Sequence, residues 1–124
     1  MAGKITVSTI NDSSGVLATQ NGMTGIAKAW VNWTGGSSPA IQNSFNVSSI
    51  TRNGTGDFSI AFTTAMPNAN YIVAGSCQQG LGNYGSGINF PYQAAATTSA
   101  ARISTSYYTA TFDASYASVA VFSS

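Results

Sequence analysis

The chain predicts an all-β fold, an antiparallel β-sandwich of about 7–9 strands, and three observations carry that expectation. Strong helix formers such as Glu, Lys, Leu and Arg are nearly missing, and apolar residues rarely recur at the spacing of one helix face. The segment Asp57–Thr64 instead alternates with period two: Phe58, Ile60 and Phe62 fall on one face, and Asp57, Ser59, Ala61 and Thr63 on the other. Turn signals built from Gly, Asn and Pro return about every ten residues, the spacing of antiparallel meanders.

Taken in order, Lys4–Ile10 reads as an N-terminal strand, and Gln20-Asn21-Gly22 as a turn within 15–25. Ile26–Trp33 is a strand with Ala27, Ala29, Val31 and Trp33 on one face and Ile26, Lys28, Trp30 and Asn32 on the other. A tryptophan on each face means that both faces are covered, one by the core and one by a partner, so Trp30 and Trp33 are the candidates for a subunit interface. Gly35–Pro39 is a loop. Residues 44–64 form a β-hairpin: Phe45–Ile50 begins with alternation, Thr51–Gly56 supplies the turn, and the Phe58 strand returns. Met66–Asn70 turns the chain, with Pro67 at a corner outside any ladder. Tyr71–Gln78 is a strand that sets Tyr71, Val73 and Cys77 against Ile72 and Ala74. Gln78–Pro91 reads as a long glycine-rich surface loop, and Ala94–Ala101, all small residues, as a crowded subunit contact or a mobile stretch. Arg102–Tyr108, Ala110–Asp113 and Tyr116–Phe122 are the last strands.

At 124 residues the chain has the length of one domain. Only 6% of residues are charged and the net charge is +1, where an average soluble domain carries roughly 25% charged residues. No basic patch is available to neutralise a phosphate backbone, so nucleic acid is not expected as a partner. No apolar run reaches the length of a membrane span, so no membrane insertion is expected, and the first residues lack the cationic-then-apolar pattern of a signal peptide. Such weak charge gives little self-repulsion and points to a chain that works inside an assembly.

The same composition narrows the chemistry. Histidine and glutamate are absent, and the acids are Asp12, Asp57 and Asp113. A Ser-His-Asp triad and a Cys/His zinc site are therefore out of reach. No two aspartates are close in sequence, which disfavours the facing carboxyl pair of a glycosidase. No cofactor or metal is expected, and no enzymatic activity. Cys77 has no second cysteine to pair with and reads as a small buried hydrophobe. What is left is surface recognition. Tyr84, Asn89, Phe90 and Tyr92 lie in or beside the glycine-rich stretch, with Gln93 next to them. Aromatic rings flanked by amides suit sugar binding, the ring covering an apolar sugar face and the amides bonding the hydroxyls. The alternative is that these rings pack the loop or a subunit contact.

Several ordered blocks carry a resemblance: Gly25-Ile-Ala-Lys-Ala-Trp-Val-Asn-Trp33, Phe45-Asn-Val-Ser-Ser-Ile50, Asn53-Gly-Thr-Gly-Asp-Phe58 and Phe62-Thr-Thr-Ala-Met-Pro-Asn-Ala-Asn-Tyr71. They resemble a domain of bacteriophage tail-fibre and other virion appendage proteins. The resemblance covers roughly residues 20–77 and implies a β-sandwich that works as a multimer, commonly a homotrimer, on the outside of the particle, with no catalytic residues. It divides the chain into an N-terminal attachment segment, 1–24, that holds other virion proteins, and a sandwich domain, 25–124. The expected role is a tail-fibre or receptor-binding module that touches a host-surface glycan. The alternatives are a capsid decoration protein that stabilises the shell and, more remotely, a glycan-active enzyme.

Overall fold

The computed structural model describes residues 26–78, 86–108 and 110–123, together with Gly3. The strands expected at Lys4–Ile10 and around 15–25, the attachment segment 1–24 and Tyr84 lie outside the described residues. Within them the chain is all-β. Nine strands run β1 (Ala29–Thr34), β2 (Ala40–Phe45), β3 (Val47–Gly54), β4 (Asp57–Phe62), β5 (Ile72–Gln78), β6 (Ser86–Asn89), β7 (Ala100–Tyr107), β8 (Ala110–Thr111) and β9 (Tyr116–Phe122). They form two antiparallel sheets. One has four strands in the order β2-β1-β9-β5; the other has five, β3-β4-β7-β6, with β8 also paired to β7.

The two sheets share one core, in keeping with a β-sandwich. Ala29, Val31 and Trp33 of β1 and Ala117, Val119 and Val121 of β9 point inward from the four-stranded sheet. Phe58, Ile60 and Phe62 of β4 and Ala101 and Ile103 of β7 meet them from the other. Period two is the cause: in β1, β4 and β9 the inward residues alternate with ones that are more exposed. Trp33 is fully enclosed, with its indole 5.8 Å from the Phe58 ring. It therefore belongs to the protomer's own core and is not a subunit contact, a correction to the expectation from sequence. Trp30, on the opposite face of β1, remains 37% exposed.

Other corrections have local causes. The hairpin is present, but β3 runs on to Gly54 and only Thr55-Gly56 turn before β4. Phe45 and Val47, read as one strand, stand in different sheets. The break is Asn46, whose φ of 56° lies in the left-handed region that Asn tolerates. Its side chain holds the corner: Nδ2 donates to the carbonyls of Lys28 and Thr64, and Oδ1 accepts the Thr64 N–H. The stretch expected as one long loop contains β6, which pairs with β7 from Ser86↔Tyr107 to Asn89↔Ser104. Ala100 and Ala101, assigned to the small-residue stretch, start β7, and Ala101 is fully buried.

Candidate functional site

The outer face of the five-stranded sheet is built from the residues that alternate with its buried ones. Register places Asp57 beside Ser104 and Ser59 beside Arg102 on β4 and β7, and Asn89 of β6 beside Ser104. All of these are polar, and they bond one another across the strands. Arg102 donates from Nε and Nη2 to the two carboxylate oxygens of Asp57, at 2.8 and 2.5 Å. Asn53 Nδ2 donates to Asp57 Oδ1 at 3.2 Å and to Ser59 Oγ at 2.8 Å. Asn89 Nδ2 donates to Ser104 Oγ at 3.0 Å and Ser106 Oγ at 2.7 Å. This layer covers Ser104 completely and leaves Asp57 only 7% exposed.

The arrangement sets the polarity of the surface. The forked guanidinium–carboxylate pair is internally neutral and geometrically rigid. Each of the two amides spends its Nδ2 on neighbours, and among the described residues the carbonyl oxygens of Asn53 on β3 and Asn89 on β6 accept no hydrogen bond; they stand on either side of the β4–β7 pair that carries Asp57 and Arg102. Tyr92 adds a ring beside Arg102: its N–H donates to the Arg102 carbonyl at 3.0 Å, and its hydroxyl accepts from Gln93 Nε2 at 3.0 Å. Of the sequence candidates, Asn89 is brought to Ser104 and Ser106 and Tyr92 to the Arg102 backbone, both on β7, and Tyr84 lies outside the described residues. Phe90 turns away from this group. It is half-buried, packs against the core and stacks on Tyr71 at 5.3 Å, with Tyr71 itself fixed by its hydroxyl to the carbonyls of Thr97 and Ala100.

Asn53, Asp57, Ser59 and Arg102 were not chosen from sequence as contacts. Alternation could have found Asp57 and Ser59, since it puts both on the solvent face of β4. The partnership of Arg102 with Asp57 spans 45 positions and has no local signal.

A second ion pair closes the far end of the hairpin. Arg52 donates from Nε and Nη2 to Asp113 Oδ1 and Oδ2, both at 2.9 Å, and the Gly56 N–H donates to Asp113 Oδ1 at 2.9 Å. The fold thus carries Asp113 to the residue next to Asp57, although they are far apart in sequence. Hydrogen bonds from Arg102 hold the Asp57 carboxyl below the usual aspartate range, with Asn53 adding to the effect against the opposing cost of burial. Hydrogen bonds from Arg52 do the same for Asp113, with the Gly56 N–H adding to it. Cys77 is half-buried in β5, its thiol pushed up by desolvation, in accord with a packed residue.

These shifts fix a pH dependence. Between the lowered folded values and the ordinary value of 3.8, the unfolded chain binds protons that the folded chain does not. The stabilisation from both pairs is fully present above 3.8 and is lost as pH falls through the folded values. Thermal melts recorded across pH should show a melting temperature insensitive to these two groups near neutrality and falling in strong acid. A melting temperature that holds or rises there would contradict the assignment.

Among the described residues no group of three or more His, Cys, Asp or Glu is placed to hold a metal ion. No helix there is long and apolar enough to cross a membrane. No protein-family model matches the chain, and comparisons with curated proteins and with solved structures give no significant match.

Proposed function

We propose that this chain is a structural protein of a bacteriophage virion, a tail-fibre or receptor-binding module that displays the polar face of its five-stranded sheet to a host-surface glycan. Residues 1–24 attach it to other virion proteins on the outside of the particle, and the module works as a homotrimer. The sequence blocks between Gly25 and Tyr71 that resemble virion appendage domains support the setting. The observation that carries the contact surface is the pair of amides, Asn53 and Asn89, whose Nδ2 groups are bound by neighbours. Their carbonyls, which accept no hydrogen bond among the described residues, and the guanidinium of Arg102 offer an acceptor–donor–acceptor row across the strands. Vicinal sugar hydroxyls both donate and accept, so they match such a row. Pre-ordering lowers the entropy cost of binding. Tyr92 supplies a ring for an apolar sugar face.

The two carboxylates among the described residues support binding over catalysis. A glycosidase needs one carboxyl with a raised pKa to protonate the leaving oxygen. Asp57 and Asp113 are both shifted the other way, each clamped by an arginine.

An array of bacterial surface polysaccharides probed with the purified chain tests this reading. At least one glycan should be retained, and Asn89→Ala and Tyr92→Ala should each weaken retention about tenfold, the loss of a well-placed contact. Retention of no glycan, or equal retention by folded variants, would overturn it.

A further inference from the structure

The opposite, four-stranded sheet carries a second feature on its outer face, an open groove of about 380 Å³. Trp30 and Tyr116 line it together with the small residues Ala74, Ser118 and Ala120. The register explains the shape. Trp30 pairs with Ala120 and Thr34 with Tyr116, so the two aromatic residues are separated along β9 by the small residues Ser118 and Ala120. Four positions of extended strand put their backbone positions about 13 Å apart, and the Asn32 contact leans the Tyr116 ring inward over part of that span. Both rings are accessible, Trp30 at 37% and Tyr116 at 43%.

The groove's polar groups are uncharged. The four strands of this sheet contain no Asp, Lys or Arg, and Glu and His are absent from the chain. Asn32 Nδ2 donates to the Tyr116 hydroxyl at 3.3 Å, which occupies one lone pair and leaves the phenolic proton to donate elsewhere. Asn43, also on the wall, uses its Oδ1 to accept the Ser44 N–H at 3.0 Å, so its Nδ2 is available as a donor. The Asn32 Oδ1 is buried without a donor among the described residues, so the Asn32 side chain offers the groove no acceptor and serves to hold the Tyr116 hydroxyl.

We infer that this groove is a second ligand site, for two or three residues of a neutral oligosaccharide. Trp30 and Tyr116 would cover the C–H faces of sugar rings, while the phenol and amide groups bond hydroxyls. An anionic or cationic ligand finds no counter-charge here. A second copy of the sheet fits less well, because pleated sheets pack face to face about 10 Å apart and would leave a concave floor of small residues unfilled. The inference does not depend on the contact surface proposed for the five-stranded sheet.

The test is a titration of the full chain with maltotriose, cellotriose and chitotriose, followed by the indole N–H resonances in nitrogen-correlated NMR spectra. Buried Trp33 is the internal reference. At least one trisaccharide should move the Trp30 resonance saturably and leave Trp33 nearly still. Trp30→Ala and Tyr116→Ala should each weaken that binding about tenfold, and Trp30→Phe should retain most of it. Three outcomes would overturn the site: no response at Trp30, unchanged binding by a folded Trp30→Ala chain, or self-association that buries Trp30. Failure of the polysaccharide array with success here would remove the five-stranded face and leave the groove standing; the reverse result would do the opposite.

Discussion

Trp33→Ala should be among the most destabilising single substitutions in this protein, lowering the unfolding free energy by about 4 kcal/mol. Trp33 is fully buried and reaches from β1 across the core to the Phe58 ring of the other sheet, with centroids 5.8 Å apart. Truncation removes both the transfer free energy of the indole and the dispersion contacts of its neighbours. Two sheets meeting across the core cannot collapse freely onto the void, because their strands are held by ladder hydrogen bonds. With a total stability of about 5–15 kcal/mol for a typical domain, such a loss is a large fraction of the whole. Trp33→Phe should cost far less, about 1 kcal/mol, because the indole N–H finds no acceptor among the described residues and its removal offsets part of the lost volume. Urea unfolding of the two variants measures the difference. Equal losses would mean that the indole N–H is satisfied or that the site repacks.

Gly56→Ala is the second large effect, on the order of 3 kcal/mol. Gly56 turns the β3–β4 hairpin with φ at +63°, where a side chain is strained. A Cβ there would stand 2.6 Å from the Phe112 nitrogen, 2.7 Å from the Phe112 oxygen and 2.7 Å from the Thr105 oxygen. All three are backbone atoms, so no side chain can rotate out of the way. They are also fixed by bonds of their own: the Thr105 N–H donates to the Gly56 carbonyl at 2.9 Å, and the Phe112 N–H to the Thr105 carbonyl at 3.1 Å. The methyl group would have to push the hairpin off β7 and disturb the Gly56 N–H to Asp113 contact that helps hold Arg52. Gly54, two residues earlier, has nothing within 4 Å of its Cβ position and no positive φ. Gly54→Ala should therefore change stability by no more than about 0.5 kcal/mol. Thermal or urea unfolding of the pair checks the contrast, and a tolerated Gly56→Ala would show that the turn is looser than described.

These two positions show what a single sequence makes legible. Wherever one face of a strand is buried and the other wet, period two reveals it, as in β4 and β9; in β5 it survives only as Val73 and Cys77 partly buried against exposed Ile72 and Ala74. The signal fails where a strand lacks a strongly buried face. The edge strand β2 (AIQNSF) is mostly exposed, so nothing in its composition separates it from a loop. Strand β6 is four residues of Ser, Gly, Ile and Asn held mainly by its ladder to β7. Continuity misleads as well. Phe45 and Val47 alternate as though in one strand, and only the left-handed conformation of Asn46 divides them between sheets.

The candidate site was legible in the same partial way. Asn89 and Tyr92 could be chosen because amides and aromatic rings have recognisable chemistry. Phe90 shares that chemistry but goes to the core, because its stacking on Tyr71 is a tertiary contact. Tryptophan shows the same limit: alternation separates Trp30 from Trp33, yet only the packing of the second sheet decides which face is inside. Arg102 and Asp57 meet through register between β4 and β7, and Arg52 and Asp113 through the path of the chain after β8. Sequence offers no period for such pairs.

The outer face of β3-β4-β7-β6 is the surface we propose meets a glycan. Its most direct test is amide and side-chain NMR mapping of the chain against the polysaccharide selected by the array. The largest perturbations should fall on the side-chain amides of Asn53 and Asn89, the Arg102 guanidinium and the Tyr92 ring, the groups proposed to line the contact surface. A saturating polysaccharide that leaves all of these resonances unmoved would contradict the account.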